Sequence, residues 1–184
     1  MLSGLAFIVV RGPALAGKTA VARAIADGLA ADGRRKVALI SQDDLATRWI
    51  AGHDPDFAAE TELVYRQIKL LAAAYVRGGY HVIVDGAFAA QRDGVAALHE
   101  SDLRDLLALV ATIPKVRPLL VNVTAPLELL LGRARNAGWP EDAIEAMYHE
   151  FERGAAASPV TFDTSRVSPE DAARATLDHI GVRR

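Results

Sequence analysis

The chain has 184 residues, 51% of them hydrophobic and 24% charged, and its 21 Lys and Arg against 23 Asp and Glu leave a net charge of −2. This fits one globular domain over residues 1–184, long enough to bury a core and too short for two. The absence of Cys excludes disulfides, thiolate catalysis and Cys-based metal sites, and no basic tract supports extended nucleic-acid binding.

In chain order, Met1-Leu2-Ser3-Gly4 leads directly into the apolar run Leu5–Val10. That leaves no room for a signal peptide and, since no apolar run approaches membrane-spanning length, predicts a cytoplasmic protein. The run reads as a strand, and Gly12-Pro13-Ala14-Leu15-Ala16-Gly17-Lys18-Thr19 follows it at once. Strand, G-x-x-x-x-G-K-T and helix together make the phosphate-binding P-loop. The glycines let several backbone N–H groups converge on a phosphate, helped by the helix N-terminus. Lys18 can reach the β/γ-phosphates and Thr19 can offer its hydroxyl to Mg²⁺. Residues Gly12 to Thr19, with Ala20, are therefore the candidate nucleotide site, for ATP with Mg²⁺. The helix that follows carries Val21, Ile25 and Leu29 on one stripe and stops near Gly33.

A second strand, Val37–Ile40, runs into Ser41-Gln42-Asp43-Asp44-Leu45 at the carboxyl edge, where open α/β sheets place ligands. One of these carboxylates can accept the proton of an attacking hydroxyl or hold the metal, and both also fit the cap and first turn of a helix. A helix over about 57–76 carries Val64, Ile68, Leu71 and Tyr75 on one face. On it Phe57, Tyr65, Tyr75, Arg66 and Gln67 are candidates for an acceptor pocket. The third strand, His81–Val84, ends at Asp85-Gly86 on the same edge, so Asp85 is placed for metal-bound water or substrate, or simply opens a turn. Phe88 and Arg92 lie just beyond it. A weaker helical pattern covers 95–110, with a break near Glu100.

The fourth strand is Leu119–Val123, followed by a helix with Leu127, Leu130, Leu131 and Ala134, then another with Ile144, Met147, Tyr148 and Phe151 after Pro140. Arg133 and Arg135 point about 200° apart on a helix, so one of them, Arg133, is expected to face the phosphates. Val160–Phe162 is a fifth strand, and Ser168-Pro169-Glu170-Asp171 starts the last helix. The five His show no metal spacing. Alternating apolar strands and helices predict a three-layer P-loop NTPase sandwich, about five mainly parallel strands with helices on both faces and a short helical lid near 133–153. Asn-Lys-x-Asp, which would specify guanine, does not occur, and the length leaves little space for the helical lid domain of an oligomeric remodelling ATPase.

Three segments resemble the P-loop kinases grouped with polynucleotide 5′-kinase, zeta toxin and chloramphenicol phosphotransferase. These are the P-loop, Ile40-Ser41-Gln42-Asp43-Asp44-Leu45, and Trp139-Pro140-Glu141-Asp142-Ala143-Ile144-Glu145-Ala146-Met147-Tyr148, which is similar to that group's lid helix. The resemblance implies that Asp43 is the general base, that Lys18, Thr19 and Asp43 serve phosphate and metal, and that Arg133 works from the lid. It places Asp85 near the acceptor and Asp163-Thr164-Ser165 beside the adenine; Asp44, Arg48, Phe88, Arg92 and Gln67 are further acceptor candidates from their own positions in the sequence. Two departures stand out: the Arg three residues after the catalytic Asp is Ala46 here, and the Arg before the lid Gly is Ala137, leaving Arg48 and Arg135 as the nearest substitutes. Loss of an acceptor-phosphate Arg favours a neutral small-molecule hydroxyl, such as a nucleoside, sugar or antibiotic, and antibiotic resistance as a role. A polynucleotide 5′-hydroxyl kinase and a toxin-like regulatory module acting through a protein partner are the alternatives; oligomeric state stays open.

Overall fold

A computed structural model describes residues 4–31, 33–48, 57–92, 95–154 and 158–181, with side chains at 57–59 and 90–96 outside the description. Its central sheet has five parallel strands in the order β2-β3-β1-β6-β7. These are β1 (Leu5–Arg11), β2 (Val37–Ser41), β3 (His81–Asp85), β6 (Val116–Thr124) and β7 (Val160–Asp163). All five expected strands are present, within a few residues of their expected ends. The short hairpin β4 (Ala89–Arg92) and β5 (Val95–Leu98) forms a separate antiparallel pair.

The helices are α1 (Lys18–Ala30), α2 (Gln42–Arg48), α3 (Phe57–Arg77), α4 (Glu100–Ala111), α5 (Leu127–Ala137), α6 (Glu141–Gly154) and α7 (Pro169–His179). Successive side chains of a strand point to opposite faces, and β1 shows what this does to sequence. Ile8 and Val10 enter one core with Val21, Ile25, Leu29, Leu130 and Leu177. Phe7 and Val9 enter the other with Val64, Tyr65, Ile68, Leu103 and Leu106. A strand buried on both faces must be apolar at every position, hence its unbroken run. His81, also buried, accepts the Ala6 N–H at Nδ1 over 3.0 Å, a packing role.

Three expectations change. The helical pattern expected from Val95 begins only at Glu100, because residues 95–98 pair with 89–92 instead. Tyr75 is exposed, and Tyr65, Ala72 and Val76 complete the buried stripe of α3 with Val64 and Ile68. Asp43 and Asp44 occupy the first turn of α2, but the hydroxyl that accepts the Asp44 N–H is that of Ser41, at 3.2 Å. The last helix starts as expected, the Ser168 hydroxyl accepting the Asp171 N–H at 3.1 Å and Pro169 opening the first turn.

Candidate functional site

The carboxyl ends of β1, β2 and β3 meet at one corner of the sheet, with Val10 and Ser41 both paired to Asp85. Between β1 and α1 the P-loop is held tightly. A Cβ on Gly12 would lie 1.8 Å from the Val123 carbonyl oxygen, so only glycine lets β6 come that close. Leu15 and Gly17 take left-handed φ values of 63° and 92°, curling the loop at the α1 N-terminus. Such a curl turns successive N–H groups inward and suits an anion. Leu15 is a non-glycine residue held in this conformation, a local strain of the kind that collects at ligand sites.

Several side chains brace the loop. Lys18 is 8% exposed and donates from Nζ to the Pro13 carbonyl at 3.2 Å. Arg133 of α5 donates to the Leu15 carbonyl at 2.7 Å, whereas Arg135 turns away to pair with Glu141 at 2.7 Å. The Thr164 hydroxyl donates to the Ala16 carbonyl at 2.8 Å, bringing the loop after β7 onto the P-loop. A cleft of about 470 Å³ opens over this corner, lined by Leu15, Lys18, Thr19, Gln42 and Asp43 at its polar end. Ala87, Ala89, Trp139 and Met147 form its apolar wall, Trp139 being 51% exposed. A left-handed Gly138 ends α5, and the Trp139 N–H returns to the Ala134 carbonyl at 2.9 Å, which fixes the turn carrying the indole.

Burial pushes the Lys18 ammonium below its ordinary pKa, opposed by the nearby Asp85 and Asp43 carboxylates. Burial likewise lifts Asp85, which is 3% exposed, above the usual carboxylate range. The Thr19 hydroxyl bonded to it and the Lys18 charge pull it back, while Asp43 pushes it further up. Asp85 Oδ1 is buried with no hydrogen-bond partner among the described residues. An orphaned carboxylate oxygen beside a threonine hydroxyl fits a hard cation. Among the described residues no three His, Asp or Glu cluster for a metal.

The other sequence candidates are dispersed. Phe88 is core, 1% exposed and stacked on Tyr65 at 5.4 Å, so it underlies the cleft without lining it. Arg48 is exposed and pairs with Asp44 one helical turn away at 3.0 Å, outside the cleft lining. Gln67 sits half-buried on α3, also outside that lining. The side chains of Arg92 and Phe57, and all of His53, lie outside the described residues.

Sequence reasoning missed two features. Arg11, at the end of β1, is fully buried: it pairs with Glu100 of α4, donates from Nε to Asn122 at 3.1 Å and lies 5.7 Å from the Phe151 ring of α6. Its position directly before the P-loop glycine was the available signal. Gln42 was passed over beside the Asp pair, yet it lines the cleft.

The fold matches known protein structures. The APS kinase CysC of Mycobacterium tuberculosis, in complex with AMPPNP and APS, is 16% identical with a TM-score of 0.69, covering 95% of this chain and 96% of that one. A sugar kinase from Janibacter sp. HTCC2649 is 19% identical with a TM-score of 0.61, covering 97% and 96%. A chain of the Pnkp1/Rnl/Hen1 RNA repair complex is 15% identical with a TM-score of 0.57, covering 81% of this chain and 44% of that one. No curated protein matches the sequence. Among the described residues no helix is long and apolar enough to cross a membrane. A family model described as AAA domain matches residues 7–157, and with its P-loop kinase-like fold the chain belongs to that family.

Proposed function

We propose that the chain is an ATP- and Mg²⁺-dependent kinase that moves the γ-phosphoryl group to a hydroxyl of a small molecule of nucleoside, sugar or antibiotic-like type. The observation that carries this reading is one cleft lined by both the P-loop residues Lys18 and Thr19 and the carboxylate of Asp43. Kinases among the structural neighbours support it, as does the resemblance of the Asp43-Asp44 and Met147-Tyr148 segments to the polynucleotide 5′-kinase, zeta toxin and chloramphenicol phosphotransferase group.

In this reading the P-loop amides and Lys18 hold the triphosphate, and Arg133 steadies the loop through the Leu15 carbonyl. Asp43 accepts the acceptor's hydroxyl proton. The freed oxygen bonds to the γ-phosphorus as the bond from that phosphorus to the β,γ-bridging oxygen breaks, and ADP leaves with the electron pair. Magnesium, held by Thr19 with Asp85 or Asp43, would neutralise phosphate charge. Lys18 is the one cation among the described cleft-lining residues, and Ala87, Ala89, Trp139 and Met147 also line the cleft. Such a lining suits an uncharged acceptor with an apolar body.

The test is transfer from [γ-³²P]ATP to adenosine, glucose, chloramphenicol and a short 5′-hydroxyl oligonucleotide. Labelling of one of the three small molecules with a rate above that of the oligonucleotide is expected. Labelling of the oligonucleotide alone would move the acceptor class to nucleic-acid ends, and no transfer despite ATP binding would overturn the kinase reading.

A further inference from the structure

Gln42 is the first residue of α2 and immediately precedes Asp43. The surrounding backbone is arranged around its side chain in three separate ways. A Cβ on Gly86 would lie 2.5 Å from Gln42 Oε1 and 3.0 Å from its Cβ, so a glycine clears the space it occupies. Phe88 adopts φ 50°, a strained conformation for a bulky residue, and its N–H donates to Gln42 Oε1 at 3.1 Å. Tyr65, buried and stacked on Phe88, offers its hydroxyl oxygen to Gln42 Nε2 at 3.4 Å.

Because a backbone N–H can only donate, the Phe88 bond identifies Oε1 as the acceptor and so fixes which end of the amide is nitrogen. Nε2 carries two hydrogens, and Tyr65 accounts for one. Gln42 and Asp43 line the same cleft, a donor beside an acceptor. A hydroxyl is both donor and acceptor, so this pair can hold one from two sides, or hold a hydroxyl and the oxygen next to it.

We propose that Gln42 is a specificity residue for the acceptor: its remaining N–H donates to the oxygen that Asp43 deprotonates, or to its neighbour, and Gly86, Phe88 and Tyr65 exist in this arrangement to hold that N–H in place. The proposal rests on the kinase reading and deepens it. Its strongest consequence is an effect on acceptor recognition with nucleotide recognition untouched.

The test uses Gln42→Glu, which keeps the length and the oxygen that Phe88 needs but deletes the donor. Tyr65→Phe is the second variant, removing the restraint without altering a cleft-lining residue. With whichever of adenosine, glucose or chloramphenicol the wild type phosphorylates fastest, Gln42→Glu should raise the acceptor KM by about tenfold, the order expected for one lost hydrogen bond. Tyr65→Phe should raise it by a smaller factor, and both should keep the wild-type calorimetric affinity for AMPPNP with magnesium. An acceptor KM within twofold of wild type in Gln42→Glu would overturn the proposal while leaving the kinase reading intact. If that variant fails to fold, an unchanged KM in Tyr65→Phe overturns it instead. A wild type inert toward all three compounds and toward the 5′-hydroxyl oligonucleotide defeats the kinase reading itself, and one active on the oligonucleotide alone is put to the same comparison with that acceptor.

Discussion

The buried pair of Arg11 and Glu100 gives a prediction whose order runs against intuition. Arg11 has no exposed side-chain surface, while Glu100, at the start of α4, keeps 22% of its own. Neutralising the glutamate by Glu100→Gln therefore takes a charged partner from a guanidinium deep in the fold. Asn122 at 3.1 Å and the Phe151 ring at 5.7 Å are among the groups that stay beside it. Losing the charge-assisted part of such a bond costs about 1.5–3 kcal/mol. At about 2–4 °C per kcal/mol for a chain of this length, the melting temperature should fall by roughly 3–12 °C. Arg11→Met removes the buried charge with an apolar side chain of comparable reach, and the orphaned Glu100 can turn toward water, so its cost should be smaller, about 0–1.5 kcal/mol. Adding Glu100→Gln to Arg11→Met should then change little. Calorimetric melts of the wild type, both single variants and the double variant supply the comparison. A Glu100→Gln protein melting within about 1 °C of wild type, or one more stable than Arg11→Met, would contradict this order.

Three further outcomes follow from the corner of the sheet. Gly12→Ala places a methyl group 1.8 Å from the Val123 carbonyl oxygen, which should destabilise by about 1–3 kcal/mol and weaken AMPPNP binding at least tenfold by calorimetry; wild-type affinity would show that the loop tolerates a side chain there. Trp139 is 51% exposed, so Trp139→Ala should change stability by less than about 0.5 kcal/mol yet raise the acceptor KM several-fold, and an unaltered KM would remove the indole from the acceptor wall. For Asp85, raised by burial, the folded chain holds a proton at pH values where the unfolded chain, with a carboxylate pKa of about 3.9, has released it. Stability carried by this group is therefore present below that value and declines as pH rises through the raised one. The melting temperature of wild type minus that of Asp85→Asn should fall over this window, and a flat or rising difference would contradict the shift.

What could be read in advance divides along a physical line. The P-loop is eight contiguous residues between an apolar run and a helix, so its chemistry is local and legible. The parallel strands were legible for a related reason, burial on both faces leaving runs such as Phe7-Ile8-Val9-Val10 without polar interruption. The hairpin was not, because Ala89-Ala90-Gln91-Arg92 and Val95-Ala96-Ala97-Leu98 are rich in alanine, a helix former, and only mutual pairing makes them strands. Arg11 and Glu100 stand 89 positions apart, and nothing local marks either as half of a buried pair. The Gln42 arrangement draws on Tyr65, Gly86 and Phe88, none of which neighbours it in the chain. Phe88 and Tyr65 looked suited to a pocket because aromatic residues serve cores and clefts alike, and it took the packing to place them beneath the cleft floor. Side-chain roles set by long-range contact are thus where the sequence alone fell short.

In the proposed reaction Asp43 prepares an incoming hydroxyl for a triphosphate held by the neighbouring loop. Asp43→Asn tests it most directly, with AMPPNP affinity measured by calorimetry and phosphoryl transfer from labelled ATP measured on the same preparation. Nucleotide affinity should stay unchanged while transfer falls on the order of 10²-fold or more. Transfer at the wild-type rate would contradict it.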